Sequence, residues 1–230
     1  MNEPLRLRTS NTNRPVLEEL IADFEAECSC NVEFIVDSTK NALERIEHGE
    51  RGDLAVLHEA SIDKLVAAGI LDSATSRSFA QSLIGLAVRA GAPRPPINSL
   101  EEFRQALLTA NSVAHTQFGP SGSYFPILLE RLGIADVVLP RAVPKPGGYI
   151  GHVVADGEAE LAFQQICELL VVPGIDIVGP IPAELQRIVV TKIALFNGAR
   201  QRTLAEKLVN WCAQPDRSEI FRKAGLEMLL

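Results

Sequence analysis

The sequence predicts an α/β fold of two lobes, each a mainly parallel sheet flanked by helices, joined by two hinge strands. Apolar residues from Leu5 to Gly69 alternate between strand and helix spacing, a βαβαβα order that calls for a parallel sheet covered on both faces. Two longer strand-like runs, near Leu86 and near Ile193, bracket a middle block with a βα series of its own. At 230 residues the chain is long enough for two lobes with separate cores. The expected division is residues 1–83 plus 193–230 for lobe one and 84–192 for lobe two.

The elements follow in order. Leu5 to Thr9 reads as a strand, Asn11 to Arg14 as a polar loop, and Pro15 suits the first turn of a helix. Val16, Leu17, Leu20, Ile21 and Phe24 then recur at helical spacing, so this helix buries one stripe. Val32 to Val36 is the second strand, Asp37 to Thr39 its exit, and Ala42, Leu43 and Ile46 carry the next helix to Gly49. Asp53 to Leu57 is the third strand, followed by a helix through Ile62, Leu65 and Val66 that Gly69 closes. Ser82 to Val88 reads as a longer strand, and Gly91 to Pro96 as a break. Ser99 is a good N-cap for a helix over Leu100 to Leu108, with Glu101 and Glu102 in its first turn. After the strand that opens near Ser112, Tyr149 to Val154 is expected to be helical and Leu161 to Gln164 extended, with Ile177 to Pro180 leading away. Arg187 to Phe196 is a strand long enough to run between lobes, and helices near Leu204 to Ala213 and Ser218 to Lys223 finish the chain.

Composition bounds the function. Apolar residues make up 47% and charged residues 22%, the balance of an ordinary globular protein. A formal net charge of −7 argues against nucleic acid or an anionic membrane as the main partner, but not against a small anion, whose field is set by local donors. No apolar run approaches the roughly 18 residues that cross a bilayer. Met1 to Pro4 shows no basic or apolar leader region, so the expected location is periplasmic if a signal peptide has been removed and cytoplasmic if Met1 is the true start. Cys28, Cys30, Cys167 and Cys212 read as free thiols packed as small hydrophobes. His48, His58 and His152 show no metal-ligand spacing, and neither a metal nor a cofactor is expected. No P-loop, dinucleotide fingerprint or Ser–His–Asp motif is present.

The most informative stretch is SVAHTQFGPSGSYFPILLERLG, Ser112 to Gly133: a short apolar strand, a loop of small and hydroxyl residues, then a helix. Such a junction aims backbone N–H groups and hydroxyls at one point beside the positive end of a helix dipole, where a small anion fits. Similar junctions occur twice near the N-terminus and once after Pro146. Ligands of open α/β sheets lie outside the carboxyl ends of strands, so facing lobes would enclose one in a cleft.

In the order and spacing of its segments the chain resembles the type II periplasmic solute-binding proteins. It is most similar to the molybdate-binding proteins of ABC importers and their aconitate-isomerase-like relatives. The segments are the opening at Leu5 to Leu20, STKNALERIEHGERGDLAV at Ser38 to Val56, PSGSY at Pro120 to Tyr124, GEAEL at Gly157 to Leu161 and PGIDIVGPIPAELQ at Pro173 to Gln186. The resemblance implies the type II periplasmic-binding-protein fold, a small anionic ligand and an ABC permease as partner of a monomer. It places Thr12 and Thr39 where hydroxyl donors from lobe one meet the ligand, and Ser121 where the second lobe offers a small residue and its N–H. Gly147 or Gly148 would add an N–H, and Gln165 stands where molybdate binders have a tyrosine hydroxyl.

The expected ligand-binding set is therefore Asn11, Thr12, Ser38, Thr39, Ser121, Gly122, Gly147, Gly148 and Gln165. Asn11, Thr12, Ser38 and Thr39 are equally good helix caps, and Gln165 fits a satisfied buried amide as well as a ligand contact. Arg8 could clamp a carboxylate or form an ion pair with Asp37 or a nearby glutamate, and Arg14 and Lys40 could steer ligand. Two functions are expected: binding of a small oxyanion or carboxylate for an ABC importer or, alternatively, isomerisation of a small polycarboxylate such as aconitate. The second needs a base, for which His115 is the first candidate and Glu168 the second.

Overall fold

A computed structural model describes residues 3–230; Met1 and Asn2, part of the N-terminal stretch read for a leader, lie outside the described residues. The chain opens with β1 (Leu5–Ser10), α1 (Arg14–Cys28), β2 (Val32–Asp37), α2 (Thr39–Glu47), β3 (Leu54–His58), α3 (Glu59–Ala67) and β4 (Arg77–Ser82). The middle block is β5 (Ile84–Arg89), α4 (Leu100–Thr109), β6 (Val113–Thr116), α5 (Pro120–Arg131), α6 (Ala135–Val138), β7 (Ala142–Lys145), α7 (Gly151–Ala155), β8 (Leu161–Gln165), α8 (Ile166–Leu169) and β9 (Ile175–Pro180). The last elements are β10 (Val189–Leu195), α9 (Arg202–Cys212), α10 (Ser218–Lys223) and β11 (Glu227–Met228). Two compact units result, one running to Gln81 and resuming at Val190–Leu230, the other comprising Ser82–Val189.

The first unit holds a six-stranded sheet in the order β11-β4-β10-β3-β1-β2. The parallel register expected of the opening strands holds: β1 pairs in parallel with β2 and with β3. The returning β10 adds an antiparallel partner to β3, and β11 pairs antiparallel with β4. The carboxyl ends of β1, β2 and β3 thus share one edge of the sheet. The helical stripe read from the sequence is the buried face of α1, with Val16, Leu17, Leu20, Ile21 and Phe24 all inside. Another core joins Ile46 of α2 and Ile62 and Leu65 of α3 to Ala55 and Leu57 of β3 and to Phe196.

The second unit repeats the plan in a five-stranded sheet, β7-β6-β8-β5-β9. Here β6 is parallel to β7 and β8, while β5 runs antiparallel to both β8 and β9. Side chains alternate between faces along β8. Leu161 and Phe163 join the core under α4 and α5, whereas Ala162 joins the smaller core under α7. By the same alternation Gln165 lies on the α5 face and Gln164 on the α7 face. The Phe125 and Phe163 rings, 4.8 Å apart, fix α5 against β8.

Differences from expectation fall at breaks and edges. The single long strand expected over Ser82 to Val88 is two strands, with Ser82 ending β4 and β5 starting at Ile84 beyond Leu83. The helix expected from Tyr149 begins later, at Gly151. Ser99 caps α4 as expected, accepting from the Glu102 amide at 3.2 Å. No helix of the described residues is long and apolar enough to cross a membrane.

Candidate functional site

In the first unit the carboxyl end of β1 turns sharply before α1. Asn13 N donates to Ser10 O (3.1 Å) and Arg14 N to Asn11 O (3.3 Å). Asn13, not Asn11 or Thr12, occupies the cap position of α1, and its side chain makes no cap hydrogen bond. Its side chain is instead pinned sideways: Asn13 Nδ2 donates to Val56 O (3.4 Å), and Thr191 Oγ1 donates to Asn13 Oδ1 (3.0 Å). Thr9 Oγ1 also donates to Val56 O (2.9 Å). The turn carrying Asn11 and Thr12 is thereby anchored to β3 and β10, with Thr12 itself buried. At the end of β2, Ser38 caps α2 by accepting from the Asn41 amide at 3.3 Å, and Thr39 begins that helix. These four polar residues stand at the carboxyl ends of adjacent parallel strands.

Arg8 does not share that edge. Its guanidinium pairs with Glu50 (2.7 Å) and donates to Arg51 O (3.1 Å), on the loop that leads into the amino end of β3. The ion-pair alternative therefore describes Arg8, with Glu50 as partner; Asp37 is engaged by Arg45 at 3.3 Å. Arg14 and Lys40 each pair with a glutamate one helical turn away, Glu18 at 2.7 Å and Glu44 at 3.8 Å.

In the second unit the junction from β6 to α5 has two glycine requirements. Gly119 caps α5 at φ 95° and ψ 171°, a region open to glycine, so the chain reverses within one residue. At Gly122 a Cβ would fall inside the contact distance of the Thr116 carbonyl oxygen and hydroxyl, so the first turn of α5 lies directly on the end of β6. Pro120 has no N–H, and the amides of Ser121 and Gly122 have no acceptor within the helix. Ser121 is buried. Two amides without helical acceptors and the positive end of a helix dipole share that turn, an arrangement suited to a small anion.

The adjacent loop after β7 is held by Gln164. Its Oε1 accepts from Ile150 N at 2.7 Å and its Nε2 donates to Gly148 O at 2.8 Å. Gly148 has φ 89° and turns its carbonyl to that amide, so Gly147 and Gly148 lie in the loop before α7, which starts at Gly151. Gln165 is buried on the other face of β8, where Ser82 Oγ donates to its Oε1 (3.2 Å) and its Nε2 donates to Glu168 Oε2 (3.3 Å). The sequence reading placed Gln164 only at the end of the extended segment Leu161 to Gln164; an amide beside a Pro-Gly-Gly loop was the available signal.

His115 sits one residue before the end of β6, facing α5. Its ring lies 4.6 Å from that of Phe125, and Nδ1–H donates to Thr116 O (2.7 Å). Burial pushes its pKa below 6.5, and the bond to Thr116 O offsets part of that. The sign of the consequence follows from the unfolded chain, which protonates near pH 6.5 while folded His115 stays neutral. Stability should therefore fall as pH drops below about 6.5. Urea unfolding at pH 7.5 and 5.5 is expected to show a smaller pH decrement in His115→Leu than in the unaltered chain; an equal decrement would contradict the assignment.

All four cysteines are free thiols, and burial raises the Cys212 pKa to about 12 and that of Cys167 further. Among the described residues no three His, Cys, Asp or Glu side chains gather where a metal ion could be held.

The model of a family of bacterial extracellular solute-binding proteins matches residues 5–227. The chain belongs to that family. A relative described as aconitate isomerase, from Pseudomonas sp., is 35% identical to this solute-binding protein over 192 residues, covering 83% of this chain and 73% of its own. Among solved structures, the periplasmic molybdate-binding protein of Azotobacter vinelandii aligns with TM-score 0.81 and 20% identity, covering 98% of this chain and all (100%) of its own. The sulfate-binding protein of Mycobacterium tuberculosis aligns with TM-score 0.76 and 15% identity, over 99% of this chain and 88% of its own. Both likenesses establish the periplasmic-binding-protein fold for this member.

Proposed function

We propose that this solute-binding protein captures a small oxyanion or carboxylate and delivers it to the permease of an ABC importer. The observation that carries the reading is the junction at Ser121 and Gly122, where amides without helical acceptors and the positive end of a helix dipole share the first turn of α5. Asn11, Thr12, Ser38 and Thr39 at the strand ends of the first unit are proposed as ligand donors, as are the loop at Gly147 and Gly148 and the amide of Gln165 in the second. Neutral donors suit this task because they favour a bound anion without a buried countercharge. The fold shared with molybdate- and sulfate-binding proteins supports this reading.

Calorimetric titration with molybdate, tungstate, sulfate and a panel of small carboxylates tests it. At least one is expected to bind at micromolar or tighter affinity, and Ser121→Ala to weaken that binding by about tenfold or more, the value of a hydrogen bond to a charged group. Absence of heat with every anion would overturn the proposal.

A second reading, an isomerase of a small polycarboxylate, is supported by the 35% identical relative described as aconitate isomerase. His115 is the candidate base for that reading: its Nδ1–H donates to Thr116 O, which leaves the lone pair on Nε2, and its ring lies 4.6 Å from that of Phe125. NMR of cis- or trans-aconitate incubated with the protein tests it, and no interconversion removes it for that substrate.

A further inference from the structure

We propose that the second unit carries a separate ligand site, at the amino ends of β6 and β8, that takes a small carboxylate with an apolar body on Arg89. A cavity of about 560 Å³ opens there, within the size range of small-molecule sites. It exists because its walls are built of short side chains: Ala92, Pro93 and Pro95 on the loop after β5, and Ala106 and Ala110 at the end of α4. Proline rings fix the backbone of that loop, and Ala92 N donates to Arg89 O at 3.0 Å, so the wall is stiff. The Ser121 junction follows the other end of β6, a strand of four residues, so about 10 Å of strand separates the two places.

The side chain of Arg89 is held in place. Its Nε donates to Val154 O at 3.4 Å, and its guanidinium lies so close on Gly157 that a Cβ there would meet Nη2. Gly157 also has φ 81°, a left-handed value that favours glycine, so this residue of the GEAEL segment is required twice over. The terminal nitrogens of Arg89 carry four further N–H groups, in the planar fork that matches a carboxylate. The acids that flank the end of β5 are engaged elsewhere. Asp176, opposite Val88, pairs with Arg94 (3.3 Å) and accepts from Gly91 N (3.1 Å). Glu160 Oε2 accepts from Asn111 N (2.7 Å) and Asn111 Nδ2 (3.0 Å).

Charge and wall chemistry together select the ligand. The cavity is lined by two guanidinium groups, Arg89 and Arg94, and one carboxylate, Glu160. The carbonyl end of α4, whose dipole would repel an anion, is met by Arg141, which donates to Leu107 O (3.0 Å) and Leu108 O (2.6 Å). A strongly hydrated dianion such as sulfate gains little from walls of alanine and proline. An apolar body displaces water from those walls and leaves its carboxylate on Arg89. A neutral analogue of the same shape keeps the apolar contact and forfeits the charge-assisted pair.

Calorimetry and amide chemical shifts of the whole isotope-labelled chain test the proposal with two acid–amide pairs: 3-phenylpropionate against 3-phenylpropionamide, and indole-3-acetate against indole-3-acetamide. At least one acid is expected to bind at sub-millimolar affinity, about tenfold or more tighter than its amide. Its titration is expected to shift the amides of Ala92, Ala110 and Gly157 and to leave those of Ser121 and Gly122 in place. Arg89→Met, at an exposed position and with an apolar stem retained, is expected to bring the acid to within about threefold of the amide. Ala92→Leu, which fills the cavity and keeps Arg89, is expected to weaken acid and amide alike. Equal affinities within both pairs, a preference that survives Arg89→Met, or affinities unchanged in Ala92→Leu overturn the proposal. So do shifts confined to Ser121 and Gly122, or no shift with either acid at about 10 mM. Each of these outcomes leaves the anion-binding reading of the α5 junction standing, because neither variant touches it.

Discussion

Gly122→Ala is expected to unfold at lower urea concentration, with a net loss of about 1–3 kcal/mol, and to abolish ligand binding in whatever fraction stays folded. The added methyl has nowhere to go. It would meet the Thr116 carbonyl and hydroxyl at the end of β6, and a strand carbonyl cannot rotate aside as a long side chain can. Alanine is favoured over glycine inside helices by up to about 1 kcal/mol, so an unhindered site would gain stability. The sign of the change therefore decides between a forced close approach and ordinary helix propensity. Relief of the clash would push the start of α5 away from β6, carrying the Ser121 and Gly122 amides with it. Ser123→Ala is the control, since Ser123 Oγ bonds only the Pro120 carbonyl, at 3.3 Å on the exposed side. Equal urea midpoints for Gly122→Ala and Ser123→Ala would contradict the packing described.

Gln164→Leu is expected to cost about 2 kcal/mol and to loosen the loop from Pro146 to Ile150. Leucine keeps much of the volume but neither polar end, so the buried Ile150 N–H loses its acceptor and the Gly148 carbonyl its donor. Most of the loss belongs to Ile150 N–H, because Gly148 is exposed and its carbonyl can turn to water. Hydrogen exchange at Ile150 should accelerate strongly, while amides in β6 keep their protection. Gln164→Glu separates the two bonds, since a carboxylate still accepts from Ile150 N but offers Gly148 nothing. An unchanged Ile150 exchange rate in Gln164→Leu would show that the loop does not depend on this amide.

The fold was legible where periodicity is strong. The α1 stripe and the β1, β2 and β3 strands could be read because half-buried helices and buried parallel strands impose regular apolar patterns. Edge strands impose less. β7 contains Pro144 and is bonded on one side only, so its four residues carry no apolar alternation. β11 has two residues, and β4 has only Phe79 and Ala80 as apolar positions in RSFAQS. The break between β4 and β5 at Leu83 is set by where the chain changes sheets, which no local pattern records.

Site residues were legible to the extent that a local motif holds them. Gly119, Ser121 and Gly122 form a strand–loop–helix junction readable from their own segment, and Ser38 and Thr39 are similar. Gln165 and Glu168 depend on Ser82, which is far away in sequence and arrives through β-sheet register, so their pairing could not be inferred from spacing. A lone acid in the apolar run Ile166 to Val172 was the available clue to Glu168. Arg8 shows the opposite case: a strand arginine resembles a ligand clamp until its partner, Glu50, is located at the other end of the sheet.

The central proposal is that the start of α5 holds a small anion and that the strand-end donors of the first unit are ligand residues too. Amide chemical shifts of isotope-labelled protein, followed while a binding carboxylate or oxyanion is titrated, test it most directly. Thr12, Thr39, Ser121 and Gly122 are expected to shift together and to saturate with a single dissociation constant. Shifts confined to one unit, or two sets saturating at different ligand concentrations, would contradict it.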